Sequence, residues 1–249
     1  MGSAIAGAPG ERTGLTLDRS VGYLGPIGRV MQPATAKQAP RDKILDCAEQ
    51  LFARRGFAGI GLAEVADSVG LGKSSLFHHF HSKAQLYAAV MARILGRLEQ
   101  PLIRALAAGG TPAERLDRWI GALIDALARH PTYARLLLRS LFEDDELAGD
   151  LPEEQEANAI IRRLASALSR LLREGMATGA FRPASVPHTL QTLIGATVYH
   201  FASGDFGNEM LGRPLFSASE VRRRKTEVRA LIRRGLLARP TSTRLRRID

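Results

Sequence analysis

GLAEVADSVGLGKSSLFHHF, Gly61 to Phe80, divides at Gly70 into two short runs whose apolar residues recur at helical spacing. In the first run Leu62, Val65, Ala66 and Val69 fall on one face; in the second, Leu76 and Phe80 do. Gly70-Leu71-Gly72 breaks the pattern between them. Two helices crossing at a tight turn need a residue free to take positive φ there, and Gly70 supplies it. The spacing predicts a helix-turn-helix with Val65, Ala66, Val69, Leu71, Leu76 and Phe80 packed inward. Lys73, Ser74, Ser75, Phe77, His78 and His79 are left on the outer side of the second helix. Such side chains suit phosphates, base edges and thymine methyls, so the stretch predicts a surface that contacts duplex DNA.

Upstream, Ile44, Leu45, Ala48, Leu51 and Phe52 make a one-faced helical run that stops at Gly56. Phe57 is expected to pack back under that cap, and Arg54 and Arg55 read as a solvated helix end favouring the dipole. Downstream, Ser82-Lys83-Ala84-Gln85 has the spacing of a capping box opening a long helix, which Pro101 is expected to end or kink. Thr111-Pro112-Ala113-Glu114 marks the next start, followed by an apolar face of Leu116, Trp119, Ile120, Leu123 and Leu127. Further helices are expected around 132–142, over 152–178, near 187–203 and near 219–237, the last two flanking a loop that contains glycine. No alternating strand pattern or internal repeat occurs, so the chain reads as all-α. Residues 1–40, rich in Gly, Ala, Pro and Thr, lack this periodicity and read as a flexible N-terminal arm.

The 249 residues suffice for a buried core, and 45% hydrophobic with 24% charged residues is ordinary for a soluble protein. No apolar run approaches the roughly 20 residues of a membrane span, and no basic-then-apolar leader opens the chain. Cys47 is the only cysteine, which precludes an internal disulfide and points to a cytoplasmic setting. The net charge of +10 fits an anionic partner without locating it. Residues 41–88 hold six Lys or Arg against five Asp or Glu, whereas 220–249 hold eleven against three. The run Arg222-Arg223-Arg224-Lys225 reads as a solvated face, and His188 and His200 as satisfied or exposed histidines.

Leu62-Ala63-Glu64-Val65-Ala66, Val69-Gly70-Leu71, Ser75-Leu76-Phe77-His78-His79-Phe80 and Ser82-Lys83 together resemble the DNA-binding signature of the TetR family of transcriptional repressors, without a gap across 41–90. One departure stands at Ile60-Gly61, where the family usually carries a capping Ser or Thr; Gly61 is a poorer cap, lacking the hydroxyl. The resemblance implies a TetR-like order: an arm over 1–40, a three-helix DNA-binding head over 41–90, a helical ligand-binding and dimerisation bundle over 91–240, and a tail over 241–249. It implies DNA contacts by Lys73, Ser74, Ser75, Phe77, His78 and His79, with Lys83 against a phosphate at a helix N-terminus. It further implies a homodimer on a palindromic double-stranded operator, released by a small-molecule effector, with no cofactor and no metal. Trp119, Leu123, Tyr133, Leu137, Phe142, Leu168, Met176 and Tyr199 are the candidates to line the effector pocket, facing the bundle interior. Leu190, Leu193, Ile194, Thr197 and Phe201, with Val228, Leu231, Ile232 and Leu236, are the candidates for the dimer contact.

Two other classes fare worse. Gly72-Lys73-Ser74 is similar to the end of a phosphate-binding loop, but the first glycine that loop requires is Asp67, and no strand precedes it. No nucleophile elbow or paired-carboxylate motif appears, so the chain is not expected to be an enzyme. His78 and His79 are adjacent and diverge on a helix, and no further ligand follows His81 at zinc spacing. A helical small-molecule-binding protein with weak or lost DNA affinity is the alternative, supported only by the weakened cap at Gly61.

Overall fold

Proline at the first turn starts α1 (Pro40–Arg55), and Gly56, at φ 74°, ends it. Phe57 then turns inward, and the rings of Phe52 and Phe57 meet the edge of Tyr87 at 5.1 and 5.4 Å. The computed structural model describes residues 39–142 and 150–238; the arm over 1–38, the acidic cluster from Glu143 and the tail over 241–249 lie outside the described residues. After α1 come α2 (Leu62–Ser68), α3 (Lys73–His79), α4 (Lys83–Ala107), α5 (Pro112–Arg129) and α6 (Pro131–Ser140). Then follow α7 (Pro152–Ala177), α8 (Val186–Ala202), α9 (Gly204–Leu211) and α10 (Ala218–Leu236). Among the described residues the fold is all-α, with one isolated antiparallel bridge between Phe181 and Leu237.

The caps form where the sequence places them. Ser82 Oγ accepts from the Gln85 amide at 3.0 Å, while Gln85 Oε1 accepts from the His81 amide at 2.8 Å. Thr111 and Glu114 complete a reciprocal capping box at the start of α5. One expectation is narrowed and one corrected: of the end or kink expected at Pro101, the end does not occur. Helix α4 continues through Pro101 to Ala107. Its packing along α7 and α5 outweighs the roughly 3 kcal/mol that an interior proline costs. Part of the loop expected between the last two long helices is the helix α9, and Gly207 lies inside it because a Cβ there would meet Ser203 Oγ at 2.1 Å.

Helix α4 organises the molecule. Its first half supplies Leu86, Tyr87 and Val90 to the core beneath α1–α3, and its length lies along α7, with α5 beside it. Helix α8 packs on α6, and α10 packs on α5. The amide of Arg182 donates to Leu236 O at 2.8 Å and that of Ala238 to Ala180 O at 3.2 Å, tying the end of α10 to the segment after α7. No helix among the described residues is long and apolar enough to cross a membrane.

A Cβ on Gly175 would stand 2.0 Å from the buried ring of Phe181, whereas one on Gly96, inside α4, meets nothing within 4 Å. Gly175→Ala is expected to destabilise the protein by about 1–3 kcal/mol through overpacking. Gly96→Ala is expected to stabilise it by up to about 1 kcal/mol. Thermal unfolding of the two variants should therefore shift in opposite directions.

Candidate nucleic-acid interface

The turn between α2 and α3 is built as the sequence requires. Gly70 takes φ 68°, and the amide of Leu71 donates to Ala66 O at 3.0 Å, folding α3 back across α2. Leu76 and Phe80 are fully buried in the core that also holds Ile44, Leu45, Ala48 and Val65, so one face of α3 is locked inward. The opposite arc carries Lys73, Ser74, Phe77 and His78, all exposed. Phe77 keeps 36% of its surface in solvent, with the Lys73 ammonium 5.9 Å from its ring centroid. Ser75 and His79 sit half-buried on the flanks of that arc, and His79 meets His78 edge-on at 5.5 Å. Lys83 is half-buried at the first turn of α4, its ammonium 4.2 Å from the centroid of the Phe57 ring. Helix α2 starts at Gly61 without a side-chain cap. No group of three or more metal-ligating side chains occurs among the described residues.

Sequence reasoning missed two features here. Arg41, exposed at the start of α1, holds its guanidinium 5.1 Å from the Phe80 ring, adding a cation beside the α3 arc. The other is Glu49, 6% exposed on α1. Its carboxylate accepts from Arg93 Nη2 of α4 at 2.9 Å and from Thr132 Oγ1 of α6 at 2.6 Å. Arg93 also donates to Asp46 at 2.7 Å, and Arg97 donates to the Tyr133 hydroxyl at 3.2 Å while lying 3.8 Å from Glu49. His130 stacks on Tyr133 at 4.5 Å, and burial, with Arg129 and Arg97 nearby, holds its imidazole below the ordinary histidine range. An acid at helical spacing among Leu45, Ala48 and Phe52 was the only sequence sign of this network.

The candidates behind α4 divide. Trp119, Leu123, Tyr133 and Leu168 are buried, and Leu137 and Met176 are half-buried against the same core. The Trp119 indole N–H is buried without an acceptor. Phe142 and Tyr199, in contrast, are 80% and 52% exposed and do not face the interior. Of the residues expected at a dimer contact, Leu193, Thr197, Phe201, Val228 and Leu236 are sealed within the protomer, since α8 and α10 turn these stripes toward α5, α6 and α7. Leu190 and Ile232 are half-buried, and only Ile194 and Leu231 stand exposed. Tyr199 shares that outward side of α8 with Gln191, Thr192 and Gly195. The basic run is not wholly solvated either: Arg224 is half-buried and donates to Ala196 O, and Lys225 pairs with Asp125 at 2.5 Å. His200 is neither satisfied nor exposed. Burial, with Arg224 nearby, pushes its imidazole down to about 4, and its Nε2 has no partner.

Comparison with known proteins agrees with this architecture. Residues 44–90 match the family described as bacterial regulatory proteins, tetR family, and residues 112–232 match a tetracyclin repressor-like C-terminal domain. The HTH-type transcriptional repressor KstR2 of Mycolicibacterium smegmatis is 31% identical over 160 residues, 61% of this chain and 74% of that protein. The repressor KstR of the same organism is 29% identical over 117 residues, 47% of this chain, and the match spans 57% of that relative's length. Among solved structures, the ketosteroid regulator KstR2 of Mycobacterium tuberculosis superposes with a TM-score of 0.66 at 21% identity, covering 82% of this chain and 98% of that one. AibR, solved with isovaleryl coenzyme A and operator DNA, superposes with a TM-score of 0.63 at 18% identity, covering 77% of this chain and 96% of the other.

The two sides of α3 should respond oppositely to truncation. Leu76→Ala is expected to cost about 2–5 kcal/mol, as a fully buried leucine does. Phe77→Ala should stay within about 0.5 kcal/mol of the parent. Denaturant unfolding of both variants measures the difference.

Proposed function

Because the chain belongs to the tetR family of bacterial regulatory proteins, a family of transcriptional regulators, we propose that it is a repressor that binds a palindromic operator as a homodimer and leaves it on binding a small-molecule effector. The outward arc of α3 carries this reading. Lys73, Ser74, Phe77 and His78 face solvent while Leu76 and Phe80 fix the helix from behind, as a helix entering a major groove requires. Ser75 and His79 flank the groove contacts, and Lys83 and Arg41 supply phosphate contacts beside them.

The second copy is assigned to the exposed side of α8 and α10, through Ile194, Tyr199 and Leu231. A two-fold axis there makes the contact isologous and sets two α3 helices about 34 Å apart, one turn of DNA. The effector is assigned to the body interior. The unpaired indole N–H of Trp119 supports this, because a buried donor without an acceptor costs about 1–3 kcal/mol that a ligand oxygen would relieve. The solved complex of AibR with isovaleryl coenzyme A and operator DNA is a precedent for a small molecule and DNA together on this fold. The Glu49 network would carry the response from α4 and α6 to the head, since each ligand acts only through a difference in affinity between two arrangements.

Lys83→Ala should weaken binding to every DNA sequence and lower the salt dependence by about one phosphate contact, while His78→Ala should change the preference among sequences. Selection of bound fragments from random DNA, followed by titrations at several salt concentrations, measures both. Unchanged affinity and preference in the two variants would refute the assignment of α3.

Leu231→Glu combined with Tyr199→Asp places charge on the exposed side of α8 and α10. Sedimentation should then give a folded monomer with DNA affinity reduced at least tenfold. A dimer unaffected by both substitutions would place the contact elsewhere.

A further inference from the structure

Along α7, Ala159, Arg162, Arg163, Ser166 and Arg170 recur at three- and four-residue steps and so share one face. Opposite them α4 presents Glu99, Gln100 and Ile103, and a groove of about 520 Å³ opens between the two helices. None of the residues assigned to DNA, to the second copy or to the interior pocket lines it.

The charges in this groove are unequally matched. Arg163 donates from Nε and Nη2 to the two carboxylate oxygens of Glu99 at 2.5 and 3.1 Å, a two-pronged pair that fixes one guanidinium and consumes the one acid in the lining. Those hydrogen bonds hold the Glu99 carboxyl below its ordinary range, so the pair stays ionised. Arg162 and Arg170 have no acceptor among the described residues. They stand two helical turns apart, with the Ser166 hydroxyl midway between them. Ile103 and Ala159 add apolar surface, and the Gln100 amide offers a further donor and acceptor.

A guanidinium is weakly hydrated, permanently charged and shaped to donate two parallel hydrogen bonds to a phosphate or carboxylate. Two such groups left free two turns apart suit a ligand with more than one anionic centre better than a single carboxylate. The volume lies within the range of small-molecule sites, roughly 300–1,000 Å³, and the apolar surface suits a flat ring. A DNA strand, by contrast, needs a long uninterrupted positive track. Here Glu99 breaks that track.

From this arrangement we propose that the groove between α4 and α7 binds a small polyphosphate-bearing molecule of the nucleoside di- or triphosphate type, with Arg162 and Arg170 on the phosphates and Ile103 against the ring. The site is separate from the interior pocket and does not depend on the DNA-binding reading.

Calorimetric titration of the full chain with ATP, ADP, adenosine and inorganic tripolyphosphate tests it. ATP and ADP should bind once per chain, adenosine should not bind, and tripolyphosphate should bind at least tenfold more weakly than ATP. The exposed double substitution Arg162→Glu, Arg170→Glu should leave the melting temperature unchanged and weaken ATP at least tenfold, while Arg162→Lys, Arg170→Lys should retain part of the affinity. Absence of ATP binding at millimolar concentration would overturn the proposal, as would equal affinity in the parent and the Glu variant. Adenosine or tripolyphosphate binding as tightly as ATP would overturn the nucleotide assignment. Loss of DNA affinity in the Glu variant without any nucleotide binding in the parent would give the stripe to DNA instead.

Discussion

Glu49 is a buried carboxylate, and a buried carboxylate is stable only while its partners stay in position. Those partners come from two other helices: Arg93 from α4 and Thr132 from α6. The orientation of α1 relative to both is therefore fixed by charge as well as by packing, and with it the direction in which α3 points. Removing one member of such a network costs about 3–5 kcal/mol. A typical allosteric coupling is about 1–3 kcal/mol. The network is thus stronger than a coupling of that size, so a rearrangement within that range would carry α1 along with α4 and α6 rather than break it away.

Most of the fold was legible because its signals are local. Gly70 and Gly56 both take positive φ, and Thr111 and Ser82 cap the helices they precede. The continuation of α4 past Pro101 and the unforeseen α9 share a cause. A proline and a pair of glycines are local signals against helix, and in both places long-range packing overrode them: α7 and α5 along α4 in one case, Ser203 and Leu215 against Gly207 in the other. Nothing within those short windows indicates such partners.

Legibility of the candidate site was uneven for a related reason. The facing of α3 followed from two residues, Leu76 and Phe80, whose burial leaves only one arc free. On α8 and α10, periodicity identified apolar stripes but could not divide them between core and surface, since the core of one chain and the seam between two chains demand the same residue types. Leu193 and Phe201 serve the first purpose, while Ile194 and Leu231, one step around their helices, remain uncovered. Glu49 drew no reading, and His200 was read as satisfied or exposed, for the opposite reason. A polar residue on an amphipathic helix reads as surface, and only the tertiary structure reveals that α4 and α6 enclose the first and that burial keeps the second neutral until pH falls to about 4.

The bridge between Phe181 and Leu237 has a mechanical consequence. Backbone hydrogen bonds from Arg182 to Leu236 and from Ala238 to Ala180 join the two ends of the stretch that runs through α8, α9 and α10. That stretch is a closed ribbon pinned at its base, like the rivet of a pair of scissors. Spreading α8 from α10 therefore works against the pin beside α7, the Arg224 hydrogen bond to Ala196 O between the two helices and the chain through α9.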